Sequence, residues 1–424
     1  MGAGDTSPLP PKRLLSGTTL PGYASPMISY PDALARLLGE AAALDSERVD
    51  LAFASDRFLA RDIVSPHALP GFDNAAMDGY AVRANGETLP ADSTYAIAAM
   101  HAAGDDTYDY PDAEACEIAT GARMPAGFDT VVPVERTERH GDRVRFTVEE
   151  RRGQNVRHAG SDIRAGEVAL PAGRCVDPAA IMLLAALGVD RIDVLRRPRV
   201  AIVNTGSELN DGGPLPLAGI HDSNGPFLAA SLSRWGAELV GRTRVPDHGE
   251  AFHIAVRDAL ARHADLIVTT GAVSAGRFDF VPAALCALGA RELFHKVAIR
   301  PGKPLLAARF DHGPLVVALP GNPIAVAVGY RFFVAPILRA MAGLPPERPF
   351  RARLDAVPDV REGMQHFGLG ELFHDESGLP VARMTPAQAA YRILPYTRAN
   401  VWLSATDSYT EVVDAWPLDP TDAA

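Results

Sequence analysis

The stretch from residue 199 to residue 343 alternates short β-branched runs with longer apolar patterns of helical period, and this alternation constrains the fold more than any other feature. The predicted strands cover residues 200–203, 238–245, 266–270, 294–299, 305–310 and 315–319, and the predicted helices cover residues 227–235, 252–260, 280–288 and 323–341. Strands that alternate with helices pair into a parallel sheet with helices on both faces. We therefore predict a central three-layer α/β domain with a parallel sheet over residues 198–343.

Small and acidic residues follow the predicted strands, at the end where a parallel sheet binds its ligands. Glu208 follows the first strand, Asp247 the second, and a loop from Gly271 to Asp279 the third. Asn322 lies in the turn after the last strand, before a proline that opens a helix. Backbone N–H groups in such loops can bind phosphate oxygens, and an acid beside them can hold a divalent cation.

Three cations, Lys296, Arg300 and Lys303, fall in one short segment of a chain that has only three lysines. Acids and cations that converge on strand ends favour a metal and phosphate site over the alternative, a rim of surface ion pairs. The loop at Gly271 alone also fits an ordinary turn, because it matches neither the Walker loop nor the dinucleotide fingerprint. The candidate binding residues of this domain are Gly271, Ser274, Lys296, Arg300, Lys303, Gly321 and Asn322.

Three further segments flank the α/β domain. Residues 65–158 contain short strand patterns and many turn residues, which predict a mainly β inserted domain. Helix patterns begin near Ser29 and at Asp177, and we predict that these helices pack together, so that residues 27–64 and 159–197 form one discontinuous helical and mixed domain. Residues 344–424 predict a small β-barrel-like C-terminal domain, and the composition of residues 1–26 predicts a mobile tail.

The mainly β segment also carries polar residues beside large apolar ones. Asp78 lies in a turn-rich stretch, Thr120 closes a strand pattern, and Arg157 and Asp162 lie in a glycine-punctuated loop. A loop whose Asx side chains cap its own backbone is as good an explanation for the turn-rich stretch as a ligand role. Local patterns leave the two alternatives open.

The formal net charge of −11 argues against a nucleic-acid binder or a protein of anionic membranes, since both need basic surface. The three cysteines lie far apart and in no metal-ligand spacing, as expected in a reducing compartment. We find neither a leader-like start nor an uninterrupted apolar run long enough for a bilayer. The sequence therefore predicts a cytoplasmic protein without a membrane segment.

Eight segments carry a resemblance to one protein family. They read FDNAAMDGYA at residues 72–81, TG at 120–121, GQNVR at 153–157, GSDI at 160–163, TGSEL at 205–209, GAVSAG at 271–276, RPGKP at 300–304 and PGNP at 320–323. In number, order and spacing they resemble the molybdopterin molybdenumtransferase family, that of MoeA and the gephyrin E domain, over residues 27–419.

The resemblance implies a four-domain, elongated homodimer whose third domain binds adenylylated molybdopterin, inserts molybdate and releases AMP with Mg²⁺ present. It implies that residues 27–64 and 159–197 form the dimerisation domain and that the pocket includes the partner's second domain. The implied roles are metal binding by Asp247 and Asp279, catalysis by Glu208 and Asp162 together with those two acids, and substrate binding by Asp78, Thr120 and Arg157. Opening a phosphoanhydride requires charge neutralisation and a positioned attacking oxygen, which such residues can supply.

The chain departs from the family pattern at several positions. The family usually has an acid at Ser207, glycine at Ala272, lysine at Arg300 and serine at Ala75 and Ala325, and in the last domain an Arg near Leu369 and a serine within residues 388–391. The last two groups are thought to help hold molybdate, so we predict normal binding of the pterin nucleotide and weak binding of molybdate. Tight molybdate binding would mean that Arg383 or Arg392 has taken over.

Three functions remain open on these residues. The first is an active molybdenum insertase, which the retained acids favour. The second is a divergent paralogue that binds molybdopterin without efficient insertion, which the missing Arg and Ser favour. The third is a binding or scaffold protein whose function depends on the dimer and not on catalysis. The expected partners are a second copy of the chain, the pterin nucleotide and other proteins of molybdenum cofactor biosynthesis, with no nucleic acid and no membrane.

Overall fold

The computed structural model describes residues 27–106, 110–210, 212–273, 280–356, 363–406 and 409–423. Ser274, Asp279 and the predicted tail at residues 1–26 lie outside the described residues. The chain divides into two compact units, a smaller one at Leu44–Arg196 and a larger one that contains the residues before and after it. Each unit is described separately below.

Helices begin where capping residues and prolines predict them. Ser29 accepts a hydrogen bond from the Asp32 N–H at 3.2 Å, and Asp177 accepts one from the Ala180 N–H at 2.8 Å. The helices are α1 (Tyr30–Glu40), α2 (Pro178–Ala186), α3 (Asn224–Arg234), α4 (Gly249–Ala261), α5 (Val281–Ala287), α6 (Pro323–Gly329), α7 (Ala335–Met341) and α8 (Leu394–Arg398). A π-helical turn, Tyr330–Val334, joins α6 and α7 into one long helix.

The smaller unit is built mainly from short strands. They are β1 (Ser46–Asp50), β2 (Ile63–Val64), β3 (Asn74–Ala75), β4 (Gly79–Val82), β5 (Thr88–Leu89), β6 (Thr94–His101), β7 (Ala115–Ile118), β8 (Thr130–Pro133), β9 (Thr137–His140), β10 (Arg143–Phe146), β11 (Glu150–Arg151), β12 (Val156–Arg157), β13 (Val168–Leu170) and β14 (Arg191–Leu195). Six of them form a sheet in the order β8-β4-β7-β6-β10-β9, and the pair β3–β12 brings the loops around Asn74 and Arg157 side by side.

The larger unit contains the remaining strands. They are β15 (Arg199–Thr205), β16 (Leu209–Asn210), β17 (Ile220–His221), β18 (Glu238–Val245), β19 (Leu266–Thr270), β20 (Ala290–His295), β21 (Ile299–Arg300), β22 (Leu306–Phe310), β23 (Leu315–Leu319), β24 (Phe350–Leu354), β25 (Gln365–His374), β26 (Pro380–Met384), β27 (Val401–Thr406) and β28 (Val412–Pro417). The central sheet has the order β18-β15-β19-β23-β22-β20.

The central sheet is parallel over four strands, as predicted, but it is mixed at one edge. Strands β18, β15, β19 and β23 run parallel, whereas β22 pairs antiparallel with both β23 and β20. The predicted parallel sheet is therefore confirmed for these four strands, and β22 is the exception. Its reason is local: only a tight turn of four residues, 311–314, separates β22 from β23, and so short a connection forms a hairpin.

Helices cover both faces of this sheet, which confirms the three-layer prediction. Phe252 and Val256 of α4 and Leu285 of α5 pack with Ala201 and Val203 of β15 in one core cluster. The long helix and α3 lie together on the opposite face, where the Tyr330 hydroxyl donates to the Ser231 carbonyl oxygen at 3.0 Å.

Helix α1 packs onto elements of the α/β domain. It lies in the larger unit against α7 and β20, where Arg36 donates to the Leu293 carbonyl oxygen and Glu40 pairs with Arg291 at 2.7 Å. Helix α2 lies in the smaller unit and packs against the single helical turn Leu51–Phe53. The two helices thus fall in different compact units, and their packing on each other stays a prediction. The four-domain division remains a prediction.

The C-terminal segment forms a small closed barrel, as expected. Strands β25, β26, β24, β28 and β27 pair in sequence, and a further pairing of β25 with β27 closes the ring. Trp402 is fully buried there. Strand β21 joins this barrel by pairing with β25, so the single strand predicted at residues 294–299 is two strands in two sheets.

The long helix Pro323–Met341 has the bounds that the sequence predicts for it. Among the described helices it is the one long and apolar enough to cross a bilayer. Its most apolar 18 residues have a mean hydropathy of 1.5, and 83% of that stretch is buried inside the protein. Arg331 within it is 2% exposed and pairs with Glu347. Arg331 and Arg339 interrupt the apolar run of this helix.

Candidate active site

The loops after β15 and β18 are joined by a reciprocal pair of hydrogen bonds. The Ser207 N–H donates to the Asp247 carboxylate at 3.1 Å, and the Asp247 N–H donates to the Ser207 hydroxyl oxygen at 3.1 Å. The Glu208 side chain folds back over Gly206. A Cβ built on Gly206 would lie 2.8 Å from each of the two carboxylate oxygens of Glu208. Both predicted acids, Glu208 and Asp247, therefore lie exposed at the carboxyl edge of the sheet.

Gly271 opens the next loop under tight steric constraint. Its φ is +85°, and a Cβ would lie 2.5 Å from the Thr205 carbonyl oxygen and 2.6 Å from the Thr205 hydroxyl oxygen. That hydroxyl in turn donates to the Thr270 carbonyl oxygen at 2.9 Å. Only glycine allows the backbone of this loop to approach β15 so closely.

The turn between β23 and α6 completes this edge. A Cβ on Gly321 would lie 3.8 Å from the Gly271 Cα, and the side chain of Asn224, at the start of α3, donates to the Gly321 carbonyl oxygen at 2.8 Å. Asn322 caps α6 through its carbonyl oxygen, which accepts from Val326. Loops after β15, β18, β19 and β23 thus meet, as the strand order predicts.

Residues 296–303, here called the cationic loop, border the same turn. The Lys296 N–H bonds the Leu305 carbonyl oxygen and the Val297 N–H bonds the Lys303 carbonyl oxygen, both at 3.0 Å, which closes the loop on itself. A Cβ on Gly302 would lie 3.8 Å from the Ala325 carbonyl oxygen, in the first turn of α6. The predicted cations, Lys296, Arg300 and Lys303, therefore lie on a loop whose backbone borders the first turn of α6.

The described residues fit a Mg²⁺ site in part. Within the described ranges no group of three His, Cys, Asp or Glu side chains surrounds a common point. Mg²⁺ usually takes one or two carboxylates and completes its shell with water and phosphate oxygens. Asp247 offers a carboxylate of that kind at the sheet edge, and Asp279, the second predicted ligand, lies outside the described residues.

Sequence reasoning missed a buried polar group next to this edge. Asp222 is 2% exposed at its side chain, accepts two hydrogen bonds from the Asn204 amide at 2.8 Å, and pairs with Arg242 at 3.3 Å. With Thr243 and Arg244, these residues line a cavity of about 390 Å³. No local pattern marks Asp222 as buried, since its partners Asn204 and Arg242 lie 18 and 20 positions away in the sequence.

In the smaller unit, Asp78 and Thr120 are in direct contact. The Thr120 N–H donates to the Asp78 carboxylate at 2.6 Å. This bond, with a further one from the Thr120 hydroxyl, holds the pKa of Asp78 below its ordinary value. The structure brings together these two predicted residues and keeps the Asp78 side chain charged and exposed.

Arg157 and Asp162 lie on the loop opposite the same segment. Arg157 follows Val156 on β12, which pairs with β3, and its guanidinium lies 3.5 Å from the Ala76 carbonyl oxygen. The Asp162 N–H bonds the Leu69 carbonyl oxygen at 3.0 Å, which ties this loop to the start of the turn-rich stretch. Residues 69–78 are therefore the segment that links all four predicted residues of this unit.

Asp73 and His158 form a pair that sequence reasoning also missed. Asp73 accepts from the Ala159 N–H at 2.7 Å and lies 3.1 Å from His158 Nδ1. The Ala159 N–H and then the imidazole hold the pKa of Asp73 below its ordinary value. The turn-rich stretch thus uses one of its acids, Asp73, to order the Arg157 loop, a long-range contact that differs from capping of its own backbone.

Comparison with known proteins agrees with this geometry. A model described as "MoeA N-terminal region (domain I and II)" matches residues 28–188, and one described as "Probable molybdopterin binding domain" matches residues 201–340. The molybdopterin molybdenumtransferase of Synechococcus elongatus is 39% identical over 324 residues, which cover 74% of this chain and 80% of that protein. The chain belongs to the molybdopterin molybdenumtransferase family.

Other members support the same assignment. Molybdopterin molybdenumtransferase 2 of Mycobacterium tuberculosis is 37% identical over 386 residues, which cover 88% of this chain and 94% of that protein. The crystal structure of the molybdopterin biosynthesis protein MoeA from Pyrococcus horikoshii superposes with a TM-score of 0.77 at 25% identity, over 92% of this chain and 100% of that one. The resemblance read from eight motifs is confirmed.

Two departures from the family pattern have visible structural consequences. Ala272, where the family has glycine, adopts a φ of +49°, in the left-handed region that favours glycine. Leu369, near the expected Arg, is 1% exposed inside the barrel, and the Gln388 side chain bonds both its N–H and its carbonyl oxygen. Neither position presents a charged group to solvent.

Proposed function

We propose that the chain inserts molybdate into adenylylated molybdopterin and releases AMP in a magnesium-dependent reaction. As a member of its family, the chain is a transferase of molybdenum cofactor biosynthesis. The proposal adds that AMP is the leaving group, that Mg²⁺ is required, and which residues take part. The observation that carries it is the meeting of four strand-end loops at one edge of the sheet, with the cationic loop against the first turn of α6 that follows the last of them. An active insertase is thereby favoured over a scaffold, which would need no such convergence.

The phosphate-binding part of the proposal rests on glycines. At Gly271 a side chain would collide with Thr205, and Gly321 faces Gly271 with no closer neighbour, so backbone alone lines this part of the edge. Phosphate oxygens can approach such backbone closely, and Lys296, Arg300 and Lys303 would neutralise their charge. Ser274 and Asn322 are proposed as further contacts.

Asp247 and Asp279 are proposed to hold Mg²⁺. The ion would supply charge neutralisation at the phosphoanhydride and orient its oxygens. Ser207 positions Asp247 through the two hydrogen bonds that join their loops. Glu208 is proposed to act on the attacking oxygen, and Asp162 is proposed as a further acid of the catalytic group.

The smaller-unit residues Asp78, Thr120 and Arg157 are proposed to bind the substrate as part of a homodimer. An exposed apolar face supports self-association: Met182 of α2 is 73% exposed and Phe53, in the turn packed against α2, is 74% exposed. In such a dimer these polar residues would belong to a site shared between two copies. A cytoplasmic location and contacts with other proteins of the pathway complete the proposal.

The test is in vitro synthesis of the cofactor. The protein is incubated with adenylylated molybdopterin, molybdate and Mg²⁺, and the product is measured by activation of an apo-molybdoenzyme. Active product with release of AMP supports an insertase. Tight binding of the pterin nucleotide without active product would instead support a divergent paralogue, and failure to bind it would support a scaffold.

A further inference from the structure

Asp222 is a buried carboxylate whose two oxygens accept from three donor groups. Its side chain is 2% exposed. Oδ1 accepts from the Asn204 amide at 2.8 Å and from the Gly225 N–H at 2.9 Å. Oδ2 accepts from the same Asn204 amide at 2.8 Å and from the Arg242 guanidinium at 3.3 Å. A Cβ on Gly225 would lie 2.7 Å from Asn204 Nδ2 and 2.8 Å from Arg242 Nε, so this cluster leaves no room for a side chain there.

These bonds require a carboxylate and not an amide at position 222. Each oxygen of Asp222 accepts from two donors, so an asparagine would turn its NH₂ group toward a donor in either orientation. The Asn204 amide oxygen has no hydrogen-bond partner among the described residues, so Asn204 contributes only as a donor. The acceptor-only character of the carboxylate, and not its shape alone, therefore holds the cluster together.

The cluster closes the base of the segment that carries Glu208. Asn204 lies near the end of β15, four residues before Glu208, and Asp222 directly follows β17. The Ile220 N–H donates to the Glu208 carbonyl oxygen at 2.8 Å, and the Asp222 N–H donates to the Asn210 carbonyl oxygen at 2.9 Å. The bonds between Asn204 and Asp222 thus join the two ends of the segment and fix the backbone of Glu208 between them.

The same cluster holds the first turn of α3, which reaches the glycine turn after β23. The Gly225 N–H belongs to this first turn and is bonded by Asp222. The neighbouring residue, Asn224, is 8% exposed and donates to the Gly321 carbonyl oxygen at 2.8 Å. One buried carboxylate therefore connects the Glu208 segment to the turn at Gly321.

We propose that Asp222 is a positioning residue of the insertion reaction, which fixes Glu208 relative to the phosphate-binding turn at Gly321. The roles of Glu208 and Gly321 rest on the proposed function, and the connection between them rests on the contacts above. A displacement of about 1 Å in a catalytic group can lower the rate about a hundredfold. Loss of the cluster should lower kcat more than nucleotide affinity, because the Gly271 N–H keeps its own bond to the Leu319 carbonyl oxygen at 3.0 Å.

The test compares Asp222→Asn with Asp265→Asn, a control at the other end of the sheet. Asp265 accepts from the Arg199 N–H at 2.8 Å, at the start of β15. Asp222→Asn should lower kcat for AMP release roughly ten- to hundredfold and keep the dissociation constant of adenylylated molybdopterin within about threefold. Asp265→Asn should keep kcat within about twofold, because it lies away from the cluster.

A reciprocal exchange separates positioning from a general loss of stability. In Asn204→Asp with Asp222→Asn, the amide and the carboxylate change places, and their hydrogen bond re-forms in the opposite direction. This double variant should regain at least about threefold of the lost kcat. Deuterium uptake, followed by mass spectrometry, is independent of activity: the amides of residues 220 and 222 should exchange faster in Asp222→Asn and more slowly again in the double variant.

Three outcomes would overturn the proposal: an unchanged kcat in folded Asp222→Asn, an equal loss in Asp265→Asn, or no recovery in the folded double variant. If Asp222→Asn does not fold, Asn204→Ala replaces it, since it keeps the carboxylate and removes the amide donor. An unchanged kcat in Asn204→Ala would then count against the proposal.

The proposed function can fail separately from this inference. If the unaltered protein releases no AMP, the insertase proposal fails, and deuterium uptake alone decides whether Asp222 fixes the Glu208 segment. Faster uptake in Asp222→Asn would support that role, and unchanged uptake would refute it. AMP release with equal kcat in the unaltered protein and Asp222→Asn would leave the function standing and remove the inference.

Discussion

Ala272 holds a left-handed backbone conformation, with a φ of +49°, next to the sterically constrained Gly271. A residue with a Cβ pays about 1 kcal/mol for this conformation relative to glycine. Ala272→Gly should therefore raise the free energy of unfolding by up to about 1 kcal/mol, measured by urea denaturation. Ala255→Gly, in the interior of α4, should lower it by at least a similar amount. An equal loss in both variants would contradict the strain at Ala272.

Asp78 shows how one carboxylate is held charged by its neighbour. The Thr120 N–H and then the Thr120 hydroxyl lower its pKa from the ordinary value of 3.8. A group with a lowered pKa stabilises the fold above its unfolded pKa, and that contribution is lost as the pH falls through the folded pKa. The contribution of Asp78 should therefore be present at neutral pH and vanish only in acid.

Thr120→Ala separates the two causes of this shift. It removes the hydroxyl and keeps the backbone N–H, so the pKa of Asp78 should rise but stay below 3.8. Carbon-13 NMR titration of labelled aspartate carboxyls, with Asp78→Asn to identify the signal, measures the change. A pKa of 3.8 or above in the unaltered protein would refute the assigned hydrogen bonds.

At the scale of elements, the contact between β15 and the loop after β19 depends on one missing side chain. Gly271→Ala would place a Cβ 2.5 Å from the Thr205 carbonyl oxygen, at a φ of +85°. We expect a loss of roughly 2–4 kcal/mol in the free energy of unfolding, together with a loss of AMP release. Gly241→Ala on β18 meets nothing within 4 Å and should change stability by less than about 1 kcal/mol. Equal stability of the two variants would show that the loop moves away freely.

The helices and strands were largely predictable from the sequence. The elements that each of them pairs with or packs against were less predictable. Periodicity and caps located α3, α4 and the parallel strands, because those signals are local. An apolar run carries no information on direction, so the reversal of β22 was missed. Helix α1 has an apolar face that fits several partners, and only the whole fold shows that it packs on α7 and β20.

The candidate site was also predictable only in part: the residues at strand ends were found, and those that depend on long-range contacts were missed. Glu208 and Asp247 were found because they follow strands, and strand ends meet in a parallel sheet. Asp222, Asn224 and His158 act through contacts with residues 18 or more positions away, such as Asn204, Gly321 and Asp73. Such pairings depend on tertiary structure and leave little trace in local sequence.

At the scale of the whole molecule, the exposed apolar face of α2 predicts self-association. Met182 is 73% exposed on a helix whose sequence, PAAIMLLAA, contains no charged residue. Met182→Glu should raise the dimer dissociation constant by at least about tenfold, because burying an unpaired charge is costly. Light scattering during size exclusion measures the mass. Met100→Glu is the control. Met100 is also highly exposed, at 65%, but it lies on β6 and not on α2.

Equal mass for the two methionine variants across the concentration range would contradict the role of this face. A monomeric unaltered protein would remove the shared site from the proposal. The assignment to the family would stand in either case, because it rests on similarity over most of the chain.

The most direct measurement of the central claim is Mg²⁺-dependent AMP release by Asp247→Asn. The substitution keeps the shape of the side chain and removes the charge proposed to hold the ion. The account predicts molybdate-dependent AMP release in the unaltered protein and at least a tenfold lower rate in Asp247→Asn, with a higher Mg²⁺ requirement. Asp258→Asn, which removes an acid paired with Arg262 on α4, should retain the full rate. Full activity with an unchanged Mg²⁺ requirement in a folded Asp247→Asn protein would contradict the account.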